Sequence, residues 1–183
     1  MDKDAVFIQH TFTLAQKAQG FTSPNPLVGA VLVKNNKIIG EGFHRRAGQA
    51  HAEIEAIRSA TQSLRNATLY VNLEPCCHFG RTGPCVDEII KQRISRVVVA
   101  TLDPNPLVSG KGVTKLRDAG IEVRLGVCEK QALNLNRIFF KNMRERMPFV
   151  FGKVAQSLDG KIATKTGQSQ WITCAGSRAY SRA

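Results

Sequence analysis

The stretch Glu74–Cys85, EPCCHFGRTGPC, concentrates three cysteines and a histidine within twelve residues. Thiolates and imidazoles together suit a divalent ion such as Zn2+. Consecutive side chains leaving a strand point to different sides, so Cys76 and Cys77 are not expected on one ion. Cys85 opens a helix-like segment, where amide dipoles favour a thiolate. Cys76 and Cys85 then need a third ligand. Upstream, GFHRRAGQAHAEIEA offers His51, with Glu53 two residues on. In mid-helix such a pair would lie roughly 200° apart, so both can face one ion only if His51 sits where the chain bends into its helix.

These residue types fit one kind of chemistry. Two thiolates and a neutral imidazole cancel a dication's charge yet leave it Lewis-acidic, able to bring the pKa of water toward ~7. Attack on an amino-bearing ring carbon makes a tetrahedral centre. Ammonia leaves only if a group carries a proton from the water to the nitrogen, and Glu53 suits that task. His-x-Glu followed by Pro-Cys is the signature of zinc deaminases. Taken singly, Glu53 would read as a solvated helix carboxylate and His51 as a capping or core histidine; their joint occurrence with Pro75-Cys76 and Cys85 favours the metal. Cys77 reads as a packed thiol and His78 as a loop imidazole. A closed structural site recruiting one of those two is the competing reading, but it has no use for Glu53.

The elements that must position these residues follow from the periodicities. Segment 4–19 places Phe7, Thr11, Leu14 and Ala18 on one helical face, with Asp4 as cap and Gly20 as stop. Residues 27–34 and 37–43 read as a hairpin turning at Asn35-Asn36. Helices at 51–60, 84–93 and 111–119 then alternate with β-branched strands at 67–74, 96–103 and 121–127, and a longer amphipathic helix covers 129–146. This is the pattern of a sheet covered on both faces.

A chain of 183 residues can enclose one well-buried core and part of a second. No apolar run reaches bilayer length, and the N-terminal residues lack signal-peptide order, so a cytoplasmic protein without a membrane partner is expected. The odd count of five cysteines argues for metal or thiol chemistry over a disulfide framework; isolated Cys128 and Cys174 read as small core residues. The net charge of +12 raises a nucleic-acid partner, but the basic residues are scattered, with short clusters only at 45–46 and 144–146 and no aromatic–basic strip. The expectation is no nucleic acid, and a basic surface that helps an anionic small molecule arrive.

Eight residues separate Cys76 from Cys85, where zinc deaminases commonly have two. With SPNPLVGAVLV, GEGFHRRAGQAHAE, LEPCCHFGRTGPC, DPNPLVSGKG, AGIEV and LNRIFF in order, the chain resembles the bifunctional deaminase/reductase family of riboflavin biosynthesis. The resemblance implies an α/β fold: a cytidine-deaminase-like three-layer sandwich, its five-stranded mixed sheet mostly parallel, over residues 1–146. Residues 147–183 would be the incomplete start of a dihydrofolate-reductase-like domain. It implies a phosphorylated substrate, 2,5-diamino-6-ribosylamino-4(3H)-pyrimidinone 5′-phosphate, deaminated to the pyrimidinedione. By position, His51, Cys76 and Cys85 become Zn2+ ligands, Glu53 the proton carrier, Asn25 a substrate contact with His44 beside it, and Arg81 a phosphate contact. Arg81 also reads as a solvated loop cation; Asp103 and Asn105 border the pocket or simply make an Asp-Pro-Asn-Pro turn. In the tail, Ala155, Ser169 and Trp171 match positions that touch NADPH or substrate in the family, but no reductase activity is expected from so short a segment. PFVFGKVAQSLDGKIA reads as a strand and turn whose apolar face favours a homo-oligomer. A deaminase acting on tRNA adenosine or a free nucleobase is the enzyme alternative, and a zinc-stabilised binding module the alternative of another class.

Overall fold

The computed structural model describes residues 2–79 and 83–181, and the chain divides into two units, Met1–Pro148 and Phe149–Ala183. In the first unit, helix α1 (Lys3–Gln16) precedes the hairpin β1 (Gly29–Lys34) and β2 (Lys37–Phe43). Asn35 and Asn36, at φ 50° and 59°, make the left-handed two-residue turn that such a hairpin prefers. Then come α2 (Ala52–Arg58), β3 (Thr68–Val71), α3 (Cys85–Lys91), β4 (Arg96–Val99), α4 (Lys111–Asp118) and β5 (Glu122–Leu125). The strand order is β2-β1-β3-β4-β5; β1 runs antiparallel to both neighbours, and β3, β4 and β5 are parallel.

Alternation along the strands builds two cores. Ala30 and Leu32 of β1, Leu69 and Val71 of β3, and Val97 and Val99 of β4 bury against Ala52 and Ala56 of α2, Val86 and Ile89 of α3, and Leu116 of α4. Val31, Tyr70 and Val98 face the other way, onto Ile8 and Leu14 of α1 and Ala132 beyond β5. A period of two on a sheet covered on both faces gives three layers. Complete burial of a side chain such as Ile89 stabilises by about 2–3 kcal/mol.

One close approach sets the site. A Cβ at Gly42 would stand 2.4 Å from the Ala56 nitrogen, and one at Gly40 2.5 Å from its carbonyl oxygen. The two glycines of β2 therefore let the α2 backbone lie directly on the strand, which fixes where α2 begins.

Several sequence expectations shift. Asp2, not Asp4, caps α1, accepting from the Asp4 N–H at 3.0 Å. Asp4 is buried instead, because its carboxylate takes both Arg96 terminal nitrogens (2.9 and 2.8 Å), the Tyr70 hydroxyl (2.9 Å) and Arg124 (2.5 Å). The expected helix over 129–146 is two, α5 (Glu129–Leu135) and α6 (Arg137–Glu145), broken at Asn136. Cys174, expected in a core, is exposed and lies 3.3 Å from the Ser177 hydroxyl. In the second unit the described residues show no strand over 149–156; a turn at 157–160 and helix α7 (Ala175–Tyr180) are present. A ladder needs a partner, and none pairs there among the described residues.

The Asp4 cluster carries a pH dependence. The Arg96 guanidinium, with help from Arg124 and Tyr70, holds the Asp4 carboxyl well below the usual carboxylate range. A depressed folded pKa gives stability that is present above the unfolded value of ~3.9 and lost as pH falls through the folded value. Asp4→Asn is therefore expected to cost about 2 kcal/mol at pH 7. Its melting temperature should also fall less than the wild type's between about pH 5 and about pH 3, where the Asp4 contribution starts to be lost. Parallel melting curves would contradict the assignment.

Candidate active site

His51 is the N-cap of α2, its backbone extended at φ −74° and ψ 161°, and Glu53 lies in the first helical turn. This is the bend that lets an i, i+2 pair face one point. Across from it the chain leaves β3 through Asn72 and Glu74, passes Pro75 and Cys76, and returns at Cys85, the first residue of α3. The start of α3 is fastened to that turn: the Cys85 N–H points at the Cys76 sulfur (3.4 Å), and the Val86 N–H donates to the Cys76 carbonyl (3.2 Å).

Three ligand atoms converge. His51 Nδ1 lies 3.5 Å from Cys76 Sγ and 3.3 Å from Cys85 Sγ, and all three atoms lie within 4.8 Å of one another. Tetrahedral Zn2+, with bonds of about 2.0 Å to nitrogen and 2.3 Å to sulfur, would separate N and S by about 3.5 Å. The residues fit the ion. Neither Cys77 nor His78 belongs to the group, and Cys77 Sγ turns to the Leu107 carbonyl at 3.9 Å.

The charges fit as well. A hydrogen bond from Cys85, with His51 and the Cys85 N–H, pulls the Cys76 thiol down to about 4, against burial. The same bond, with burial, pushes Cys85 up. A dication between the two sulfurs would let both be thiolates. His51 is raised by its bond to Cys76. Glu53, 3% exposed, is pushed up to about 7 by burial first and by the Cys76 charge second.

A pocket of about 420 Å³ opens onto this cluster, lined by Asn25, His44, His51, Glu53, Cys76, Asp103 and Asn105 among others. All but two of the expected first-unit site residues therefore meet in one cavity. Cys85 is fully buried behind it, and Arg81 lies outside the described residues. His44 is held by the Ala50 carbonyl at Nδ1 (3.0 Å), while its Nε2 lies 3.0 Å from Asn25 Nδ2. Burial lowers its pKa, so the neutral ring donates at Nδ1 and accepts at Nε2. That fixes the Asn25 amide with its nitrogen toward His44 and leaves Oδ1 to act as an acceptor. Burial raises Asp103 to about 6, its Oδ1 accepting from the Asn105 N–H (2.8 Å).

Sequence reasoning missed three residues. His78, expected to be a plain loop imidazole, lines the pocket and has a buried Nδ1 without a hydrogen-bond partner among the described residues. Asn136 and Asn72 pin the loop that carries Asn25. Asn136 accepts from the Leu27 N–H (2.8 Å), and both amides donate to the Leu27 carbonyl (2.9 Å each). The LNRIFF stretch contains Asn136, but nothing local to it points to Leu27. In the second unit, Ala155 is half-buried and Ser169 and Trp171 are exposed, with Arg178 4.2 Å from the Trp171 ring.

Residues 1–101 match the family model of the cytidine and deoxycytidylate deaminase zinc-binding region, and residues 148–183 match the RibD C-terminal domain. The riboflavin biosynthesis protein RibD of Aquifex aeolicus is 57% identical over 175 residues, covering 96% of this chain and 49% of that protein. A solved deaminase/reductase from Thermotoga maritima, a diaminohydroxyphosphoribosylaminopyrimidine deaminase/5-amino-6-(5-phosphoribosylamino)uracil reductase, is 46% identical. It superposes with a TM-score of 0.93 over 98% of this chain and 52% of that one. RibD of Acinetobacter baumannii gives 49% identity and a TM-score of 0.91, with 98% and 51% covered. The chain spans about half the length of the relatives it matches.

Proposed function

Because this chain belongs to the cytidine and deoxycytidylate deaminase zinc-binding family, within its RibD branch, we propose that its first unit hydrolytically deaminates a phosphorylated diaminopyrimidine. The substrate is 2,5-diamino-6-ribosylamino-4(3H)-pyrimidinone 5′-phosphate, and the products are 5-amino-6-ribosylamino-2,4-pyrimidinedione 5′-phosphate and ammonia. The observation that carries the reading is the meeting of His51 Nδ1, Cys76 Sγ and Cys85 Sγ beside a buried Glu53 at one pocket.

His51, Cys76 and Cys85 would hold Zn2+, which supplies Lewis acidity and water with a pKa near ~7. Glu53 supports the proton transfers. Its carboxyl, at about 7, both takes and gives a proton near neutrality. It accepts a proton as the water oxygen bonds to the amino-bearing ring carbon. It returns that proton to the exocyclic nitrogen as the C–N bond breaks and ammonia leaves. Asn25, oriented by neutral His44, presents an acceptor to the ring's N–H groups. Asp103 and Asn105 form the opposite wall.

The basic clusters support a small substrate over a nucleic acid. Arg45 and Arg46 lie over the Phe43 and Phe21 rings, 4.7 and 5.5 Å from their centroids, and Arg144 lies over Phe140 at 4.9 Å. These cations lie over apolar rings. The deciding experiment incubates zinc-loaded protein with the diaminopyrimidine ribotide and assays ammonia, with and without NADPH and with tRNA as a parallel substrate. Ammonia from the ribotide, independent of NADPH, is expected. No release above the blank, or release from tRNA alone, would overturn the reading.

A further inference from the structure

Glu74 is 3% exposed and forms no ion pair among the described residues, yet each carboxylate oxygen is engaged. Oε2 accepts from the Asp103 N–H (3.2 Å) and the Gly110 N–H (2.9 Å), and Oε1 from the Val113 N–H (3.0 Å). A buried carboxylate is tolerable when backbone donors satisfy it, and charge-assisted bonds of this kind are stronger than neutral ones. The donors belong to the far wall of the pocket and the first turn of α4. The acceptor stands two residues before Cys76.

The wall itself is a small braced unit. Asp103 Oδ1 accepts from Asn105, Asn105 Oδ1 from Leu107 (3.0 Å), and the Asn105 carbonyl from Val108 and Ser109 (2.8 Å each). Such a loop holds its own shape but needs an external anchor to hold its place. Glu74 grips it at both ends, at Asp103 and at Gly110. A second contact supports the same joint: a Cβ on Gly112 would stand 2.3 Å from the Pro75 carbonyl oxygen, so α4 starts directly on the Pro75–Cys76 peptide.

We propose that Glu74 is a positioning residue that couples the Cys76 metal-ligand turn to the Asp103–Val108 wall, so that metal loading orders the side of the pocket that faces the substrate. Its catalytic consequence rests on the deaminase reading; the coupling itself does not. Glutamine is the informative replacement. It keeps the shape but places an NH2 donor against backbone N–H donors, losing bonds of about 1.5–3 kcal/mol, roughly a ten- to hundredfold effect.

The test follows amide hydrogen exchange of the full chain, zinc-loaded and zinc-stripped. In the wild type, stripping should speed exchange across residues 103–113 by about tenfold or more. Glu74→Gln should still bind zinc one to one, and exchange in 103–113 should then be the same with and without the ion. Protection of 103–113 that ignores zinc in the wild type, or a zinc response that survives in Glu74→Gln, overturns the proposal. If Glu74→Gln does not fold, the wild-type comparison still decides, and Glu74→Asp, with a shorter arm, repeats the variant arm. In the ammonia assay Glu74→Gln should raise KM about tenfold with kcat within about threefold. A loss confined to kcat counts against positioning. A wild type that binds zinc and shows the exchange response yet releases no ammonia would sink the deaminase reading and leave the coupling standing.

Discussion

Replacing Glu53 with glutamine is expected to cut ammonia release by about 10³- to 10⁴-fold while zinc stays bound at one ion per chain. The amide keeps the volume of the side chain and leaves all three ligand atoms in place. It cannot take up a proton and hand it on. General acid–base assistance is worth about 10²–10⁴ in rate, and Glu53 is asked to serve both halves of the transfer, so the upper part of that range applies. Its burial means that water cannot readily substitute for it. The measurement pairs steady-state ammonia release with metal analysis of the same sample. Turnover within tenfold of the wild type would show that another group moves the proton.

The second large effect is on the metal. Cys85→Ala should weaken zinc binding by more than about 100-fold in a chelator competition, since loss of a direct ligand exceeds the 10–100-fold cost typical of removing an outer partner. The sulfur is fully buried and supports Cys76 as well as the ion, because the hydrogen bond between the two thiols is the first cause of the low Cys76 pKa. Helix α3 should survive, anchored by Val86 and Ile89, so circular dichroism should change little. Cys77→Ala is the matched control. Its sulfur faces the Leu107 carbonyl, and its removal should leave affinity within about threefold, below the cost of losing even an outer partner. Equal losses from the two variants would mean that the ligand set is misassigned.

How much of this was legible beforehand depended on whether the cause was local. The β-branched runs announced β3, β4 and β5, and Asn35-Asn36 announced the hairpin, because alternation and turn chemistry act over a few residues. The zinc ligands stood out because histidine and cysteine at these spacings have few other uses. Asn136 did not stand out. It fits the helical pattern of 129–146 and breaks it only because its amide is drawn to Leu27, which sits 109 residues away. Glu74 is similar: nothing beside it in the sequence points to the three amides of a distant loop and helix that engage its buried carboxylate. Asp4 looked like a cap because the arginines that claim it lie on β4 and β5. The stretch PFVFGKVAQSLDGKIA promised a strand and a turn, but pairing is a property of two segments, and the described residues supply only one.

The mixed sheet has a consequence in time. The β1–β2 hairpin closes through two residues, whereas β4 and β5 must each wait for a helical crossover to fold back beside a parallel neighbour. Short closures form in microseconds and long ones trail behind. His51 and Glu53 belong to the helix laid on the early hairpin; Cys76 and Cys85 lie within the β3–β4 link, the first of the late connections. A refolding chain should therefore acquire its imidazole half well before its sulfur half, and grip a metal only near the end. Stopped-flow refolding with Co2+, read at the thiolate absorption band, puts that order to the test. A band that precedes the slow sheet signal would reverse it.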